Sequence, residues 1–204
     1  MIDRVEKVSG RRVSRETFGR LETYVALLLE ASTTQNLISK STVDEIWDRH
    51  IIDCAQLLRF AEPSRSWLDI GAGAGLPGIV IAILDPGPVT LLEPRRLRVE
   101  FLASVIDRLA LTHVTLVQGK TTALTAKYRH ITARAVASAS DLLTMSRHLS
   151  HPETGWVLPK GRSAQKELDE VRGAWQGSIR LEPSLTDHDA SILLASGIRP
   201  RGRR

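Results

Sequence analysis

The chain has 204 residues, of which 42% are hydrophobic and 25% charged, a composition typical of one globular domain with a substantial core. Its single cysteine, Cys54, excludes an internal disulfide and a cysteine-rich metal site, so we expect no metal and a reducing, cytoplasmic compartment. No apolar run is long enough to span a membrane, and we expect no secretory signal and no membrane partner. The net charge of +5 comes mostly from Arg199, Arg201, Arg203 and Arg204.

Two helices are predicted ahead of the first strand. Apolar residues recur at helical spacing over 16–31. A second helix is predicted to begin near Thr42, with Glu45 as its capping-box partner, and to end at about Phe60. We expect these helices to form an N-terminal helical cap over residues 1–62.

Strands and helices then alternate over residues 63–196. The predicted strands cover 66–70, 88–92, 113–117, 130–134, 155–159, 178–182 and 190–195. The predicted helices cover 77–85, 95–109, 139–149 and 163–174. This order predicts an α/β, Rossmann-like fold with a mostly parallel seven-stranded sheet wound on both faces, followed by a basic tail at 197–204.

A glycine-rich turn follows the first predicted strand. Gly71, Gly73 and Gly75 alternate through it, and Glu93 follows Gly73 by twenty positions at the tip of the next strand. Glycine lets the backbone approach a ligand closely, and a carboxylate at that separation can accept hydrogen bonds from ribose hydroxyls. The turn therefore predicts a nucleoside cofactor.

The acid ahead of the turn, Asp69, bears on which cofactor binds. A carboxylate there would repel a pyrophosphate, but it can hold, directly or through water, the ammonium of a methionine moiety. Residues 73–78 nevertheless fit the G-x-G-x-x-G pattern of dinucleotide sites. Asp69 favours S-adenosylmethionine, and an NAD-binding oxidoreductase stays open as the alternative.

Further motifs lie on both sides of the turn Asp69-Ile-Gly-Ala-Gly-Ala-Gly-Leu-Pro-Gly78. They are Asn36-Leu-Ile-Ser39, His50-Ile-Ile-Asp53, Thr132-Ala-Arg-Ala-Val-Ala-Ser138 and Leu158-Pro-Lys-Gly161. Together they resemble, in order and spacing, the signatures of the bacterial small-subunit rRNA guanine-N7 methyltransferases, the GidB-like family. The resemblance spans roughly residues 20–175.

The resemblance implies the S-adenosylmethionine-dependent methyltransferase fold and methyl transfer to N7 of a guanine in the decoding region of 16S rRNA. The expected partner is 16S rRNA or the small ribosomal subunit, and the protein is expected to be a monomer. The expected cofactor-binding residues are Asp69, Gly71, Gly73, Gly75, Leu76, Glu93, Thr121, Thr122 and Arg134. The candidate catalytic residues are Arg134, His50 and Asn36, and the candidate substrate-binding residues are Asn36, His50, Asp53, Lys120 and Lys160.

The chemistry of this reaction agrees with the residues present. Guanine N7 has a lone pair and no proton to lose, so positioning and charge stabilisation suffice without a general base. The chain has no Asn/Asp-Pro-Pro-Tyr/Phe motif, which disfavours methylation of an exocyclic amine. Thr122 replaces an acid usual in the family and Lys120 replaces a common arginine, which motivates a non-catalytic RNA-binding module as a second alternative.

One internal segment is strongly basic. From Gln118 to Ser150 the only acid is Asp141. Its basic residues are Lys120, Lys127, Arg129, Arg134 and Arg147. We expect this stretch to present a surface to phosphate groups.

Overall fold

The computed structural model describes residues 1–202, and seven strands in them form one sheet. They are β1 (Trp67–Ile70), β2 (Val89–Glu93), β3 (Val114–Gln118), β4 (His130–Thr132), β5 (Gly155–Lys160), β6 (Trp175–Pro183) and β7 (Ser191–Pro200). The sheet order is β3-β2-β1-β4-β5-β7-β6. Strands β1 to β5 pair in parallel, whereas β7 is antiparallel to both β5 and β6. The predicted mostly parallel seven-stranded sheet is confirmed.

Helices cover both faces of this sheet. The α-helices are α1 (Ile2–Ser9), α2 (Arg15–Ser32), α3 (Asp53–Ala55), α4 (Gly78–Leu84), α5 (Arg96–Arg108), α6 (Ala139–Ser146) and α7 (Ala164–Ala174). Helix α3 is the centre of a longer segment, here called the mixed helix, which is π-helical over Trp47–Ile52 and 3₁₀ over Gln56–Phe60. None of the helices within residues 1–202 is long and apolar enough to cross a membrane.

Strand β5 shows why the sheet is covered on both faces. Trp156 and Leu158 enter one core, with residues of α6 and α7, while Val157 between them enters the other. Alternate side chains of a strand point to opposite faces, so a buried apolar run requires a layer on each side. The cap helices α1 and α2 pack into the same core as α4 and α5.

Two sequence predictions need correction, and one helix was not predicted. Thr42 does not begin the second cap helix, because its hydroxyl donates to the Ser39 carbonyl and the helical segment starts at Trp47. Residues 197–200 belong to β7 rather than to a basic tail, since they pair with the start of β6. Helix α1 is the helix that the sequence did not predict. Arg203 and Arg204 lie outside the described residues.

Candidate active site

The glycine turn after β1 has a backbone that only glycine adopts easily. Gly71, Gly73 and Gly75 have φ angles of 69°, 58° and 90°. A Cβ on Gly71 would lie 2.6 Å from a methyl group of Val136, and one on Gly75 would lie 2.5 Å from Ile79. Both positions therefore exclude a side chain by conformation and by space.

The turn borders a cavity of about 360 Å³, here called the glycine cleft. It lies at the carboxyl ends of β1, β2 and β4, the edge where parallel sheets bind ligands. Five of the predicted cofactor residues line it, namely Gly71, Gly73, Leu76, Glu93 and Arg134. It is also lined by Leu37 of the cap, by Arg95 just before α5 and by Val136 in the segment after β4. Three elements outside the turn thus contribute to its walls.

Glu93 ties the turn to the tip of β2. One carboxylate oxygen accepts the backbone N–H of Gly73 at 2.8 Å, and the other accepts that of Arg95 at 2.9 Å. A carboxylate oxygen has two lone pairs, so each oxygen retains one for a further donor. A glycine floor beside a buried carboxylate fits a nucleoside whose ribose hydroxyls donate to Glu93, as the spacing predicts.

Asp69 lies beneath the turn and does not line the glycine cleft. It is buried, and its Oδ2 accepts the N–H of Gly78, the first residue of α4, at 2.8 Å. Its Oδ1 has no hydrogen-bond partner among the described residues. Burial raises the pKa of Asp69 to about 7, against the opposing effects of the Gly78 N–H and of Arg134. The carboxyl therefore holds the turn and the start of α4 together.

The cap supports the turn from the other side. Tyr24 of α2 is fully buried and donates its hydroxyl to the Ala74 carbonyl at 2.8 Å. Burial raises the pKa of Tyr24 well above its ordinary value, so the phenol stays protonated as this bond requires. The helical spacing over 16–31 predicted the helix that carries Tyr24, but nothing in that spacing indicated the contact of Tyr24 with the turn.

A second cavity of about 250 Å³, here called the polar cleft, lies next to the first. Its lining includes three residues predicted for the substrate, His50, Asp53 and Lys160. Arg134, which follows β4, lines both clefts. The structure thus brings the predicted cofactor and substrate sides together at one guanidinium group.

His50 anchors Arg134 and is neutral. The Arg134 guanidinium has only donors, so its 3.2 Å contact makes His50 Nδ1 an acceptor. The ring proton is then on Nε2 and donates to the Thr42 hydroxyl at 2.8 Å. Burial, together with the charges of Arg134 and Arg49, lowers the pKa of His50 to about 4. A histidine with both nitrogens engaged positions Arg134 and is not available as a base.

Asp53 contacts the other side of the same guanidinium. Its Oδ2 lies 3.6 Å from Arg134 Nη1. Its Oδ1 accepts from the Thr186 hydroxyl at 2.7 Å and from the Gln56 amide at 2.9 Å. Gln56 also accepts the N–H of Leu185, which fastens the β6–β7 loop to the mixed helix.

The β6–β7 loop is the part of the site that the motifs missed. The loop residues that line the polar cleft are Ser184, Thr186, Asp187 and Ala190. Loops take their conformation from the elements that they contact, and these contacts join residues more than a hundred positions apart in sequence. A polar residue such as Gln56 within an apolar helix pattern was the one available signal.

Lys160 is anchored within the protein. Its ammonium group forms an ion pair of 2.8 Å with Glu167 and donates to the Ala137 carbonyl at 3.2 Å. The pKa of Glu167 is lowered below its ordinary value by hydrogen bonds from Lys160, the Ala139 N–H and Ser163, which outweigh its partial burial. Lys160 therefore links the segment after β4 to α7 while lining the polar cleft.

Besides Asp69, five predicted site residues line neither cleft. Asn36 is exposed next to Leu37, and Lys120 and Thr122 are exposed beyond β3. Thr121 is buried, and its carbonyl accepts from His148 Nε2 at 3.0 Å. Gly75 also lies outside the lining, at the packed side of the turn.

Comparison with known proteins agrees with this geometry. The family model GidB, described as rRNA small subunit methyltransferase G, matches residues 18–187. The ribosomal RNA small subunit methyltransferase G of Zymomonas mobilis is 44% identical over 202 residues, covering 94% of this chain and 91% of its own. The protein of the same name from Rhizorhabdus wittichii is 43% identical over 198 residues, with coverages of 94% and 91%.

Solved structures share the fold at low sequence identity. Fibrillarin of Aeropyrum pernix in complex with S-adenosyl-L-methionine superposes with a TM-score of 0.53 and 13% identity, covering 66% of this chain and 67% of its own. A precorrin-6Y C5,15-methyltransferase of Geobacter metallireducens gives a TM-score of 0.51 and 16% identity, with coverages of 79% and 90%. The fold is that of S-adenosylmethionine-dependent methyltransferases, and the chain belongs to the GidB family of small-subunit rRNA methyltransferases.

Proposed function

We propose that this chain methylates N7 of a guanine in 16S rRNA with S-adenosylmethionine as the methyl donor. The observation that carries the proposal is the position of Arg134, which lines both the glycine cleft and the polar cleft. The relatives that cover nearly the whole chain are named for a ribosomal RNA methyltransferase, which supports the substrate class.

The glycine cleft would hold the cofactor. Glu93 would accept from the ribose, while Gly71, Gly73 and Leu76 would face the nucleoside and the chain that it carries. When bound, S-adenosylmethionine supplies an electrophilic methyl group and leaves as a neutral thioether. Asp69 would act on the ammonium group only from beneath the turn, through water or through the field of its charge.

The polar cleft would hold the guanine. Its N7–O6 edge presents two acceptors, and an arginine N–H that binds O6 leaves the N7 lone pair free for the methyl group. His50 and Asp53 hold the Arg134 guanidinium, so its orientation is set before the RNA binds. Because the positive charge moves from sulfur to the base during transfer, catalysis rests on this alignment and not on proton removal.

The remaining predicted residues would contact the cofactor or RNA outside the two clefts. Asn36 and Lys120 are exposed and would meet the rRNA, whereas Thr121 and Thr122 would approach the adenine by backbone atoms. We further infer a monomer that acts in the cytoplasm. The named methyltransferase relatives favour this enzyme over an NAD-binding oxidoreductase or a non-catalytic RNA-binding module.

The test uses purified protein with methyl-labelled S-adenosylmethionine. Substrates are small ribosomal subunits and naked 16S rRNA from a strain that lacks the gene, and the control is the same RNA from a strain that has it. We expect label in N7-methylguanosine after nuclease digestion, with the control RNA unlabelled because its site is already modified. Label in another nucleoside, or in none, would overturn the proposal.

A further inference from the structure

A third cavity, of about 680 Å³, lies at the opposite edge of the sheet from the two clefts. Its charged lining residues are Lys127, Arg147 and Arg199, joined by His148 and His151. It will be called the basic cavity. Arg147 and Arg199 come together because β7 runs antiparallel to β5, so that Ser196 pairs with Gly155 at the start of β5 and the end of β7 reaches the α6–β5 connection.

The basic cavity has no carboxylate among its lining residues. Arg147 and Arg199 are exposed, and neither forms an ion pair within residues 1–202. A neighbouring cavity shows the contrast, because there Arg129 pairs with Glu62 at 2.6 Å and with Glu153 at 3.6 Å. Among the basic residues of the segment predicted from the sequence, Arg129 is therefore neutralised, whereas Arg147 and Lys127 are left for an external anion.

Several donors in the basic cavity are held in place. Lys127 donates to the His148 carbonyl, which leaves two of its three ammonium protons available. His151 Nδ1 accepts the Glu153 N–H at 3.2 Å, so a neutral His151 carries its proton on Nε2. That N–H has no hydrogen-bond partner among the described residues.

The floor of the cavity does not favour stacking of a base. Trp156 lines it but is only 2% exposed, and its indole N–H donates to the Ser146 hydroxyl at 2.9 Å. Sequence-independent binding of RNA uses cations for the phosphates and exposed aromatic faces for the bases. The cavity presents the cations, whereas the one Phe, Tyr or Trp ring in its lining, that of Trp156, is buried, so the ligand that fits is the phosphate backbone.

We propose that the basic cavity is a second RNA-binding site, which holds backbone phosphates of the substrate RNA away from the reacting guanine. The inference rests on the proposed rRNA substrate, a molecule far larger than this chain that can contact both edges of the sheet. Phosphate contacts position a protein on a nucleic acid without reading its sequence. The site therefore contributes affinity and placement, while the two clefts select the base.

The test compares the double variant Arg147→Gln/Arg199→Gln with Arg108→Gln. Arg108 is an exposed arginine at the end of α5, on the same edge of the sheet, and forms no ion pair within residues 1–202. For the double variant we expect KM for small subunits or 16S rRNA to rise about tenfold, and the slope of log affinity against log salt to become less steep by about 1.5. Its kcat and its affinity for S-adenosylhomocysteine should be unchanged, and Arg108→Gln should match the wild type.

The outcomes separate this proposal from the proposed function. If the wild type methylates rRNA but the double variant has the KM of Arg108→Gln, the second site is refuted and the function stands. If the wild type methylates no rRNA, filter binding of 16S rRNA to the same variants still decides, and equal affinities refute the site. A double variant that loses binding of inorganic phosphate but keeps its RNA affinity would also refute it.

Discussion

Replacing Arg134 by lysine keeps the charge between the two clefts but removes its geometry. In the wild type, Nη2 lies 3.2 Å from His50 Nδ1 and Nη1 lies 3.6 Å from Asp53 Oδ2. A lysine has a single nitrogen on a flexible stem, so it cannot hold both partners in the guanidinium geometry. Arg134→Lys therefore tests the orientation of the charge, because the charge itself is kept.

The size of the effect follows from these two contacts. A hydrogen bond to a charged group contributes about 1.5 kcal/mol or more, whereas a partly exposed ion pair contributes about 0.5 kcal/mol. Losing both contacts should therefore remove about 2 kcal/mol of the transition-state stabilisation that depends on the alignment of Arg134. At 1.36 kcal/mol per tenfold change in rate, Arg134→Lys should lower kcat/KM about 30-fold.

The assay is single-turnover methylation of small subunits from a strain lacking the gene. Arg95→Lys is the matched control, because Arg95 also lines the glycine cleft and its side chain is exposed. Its rate should stay within about twofold of the wild type, and circular dichroism should show that both variants fold. Arg134→Lys at the wild-type rate would refute the positioning role of the guanidinium and its anchoring by His50 and Asp53.

Three further predictions concern the buried groups and the turn. Folded Asp69, with a pKa of about 7, holds its proton where the unfolded chain releases it. Relative to Asp69→Asn, the wild type without ligand should therefore lose roughly 3 kcal/mol of unfolding free energy between pH 5 and pH 8 in urea titrations. An equal pH dependence of the two proteins would contradict this. Burial lowers the pKa of His130 to about 4, and both of its ring nitrogens lack hydrogen-bond partners within residues 1–202. Relative to His130→Phe, the wild type should therefore lose stability as the pH falls from 6.5 towards 4. At pH 5 His130→Phe should be about 1–3 kcal/mol more stable than the wild type, and a lower Tm would count against this. Gly71→Ala should weaken S-adenosylhomocysteine binding about tenfold or more by calorimetry, because its Cβ would lie 2.6 Å from Val136 at a φ of 69°. Gly19→Ala is the control, since a Cβ on Gly19 would meet nothing within 4 Å. Equal affinities of the two variants would exclude the effect.

Local patterns were sufficient to predict the sheet and to bring the glycine turn and Glu93 to one cleft. The turn at Gly71 and the carboxylate of Glu93 lie on consecutive strands, where the Rossmann-like order leaves little choice of geometry. The same reasoning assigned Asp69 to the cofactor, whereas the structure engages it with the first N–H of α4. Sequence spacing alone does not distinguish a carboxylate beside a turn from one beneath it.

Long-range contacts explain most of what the sequence did not predict. His50 and Arg134 are 84 positions apart, and the neutral state of His50 follows from its burial and from this contact. The π-helical turn at Trp47–Ile52 likewise has no propensity signal, because tertiary packing overrides the usual hydrogen-bond register. The polar wall from the β6–β7 loop lies beyond the recognised motifs for the same reason.

This chain is proposed to methylate guanine N7 in 16S rRNA. The most direct measurement maps N7-methylguanosine along 16S rRNA from cells that lack the gene, complemented with the wild type, with Arg134→Lys or with an empty vector. We predict one modified guanine, in the decoding region, that is present with the wild type, strongly reduced with Arg134→Lys and absent with the vector. An identical N7-methylguanosine map in all three strains would show that this chain does not carry out the methylation.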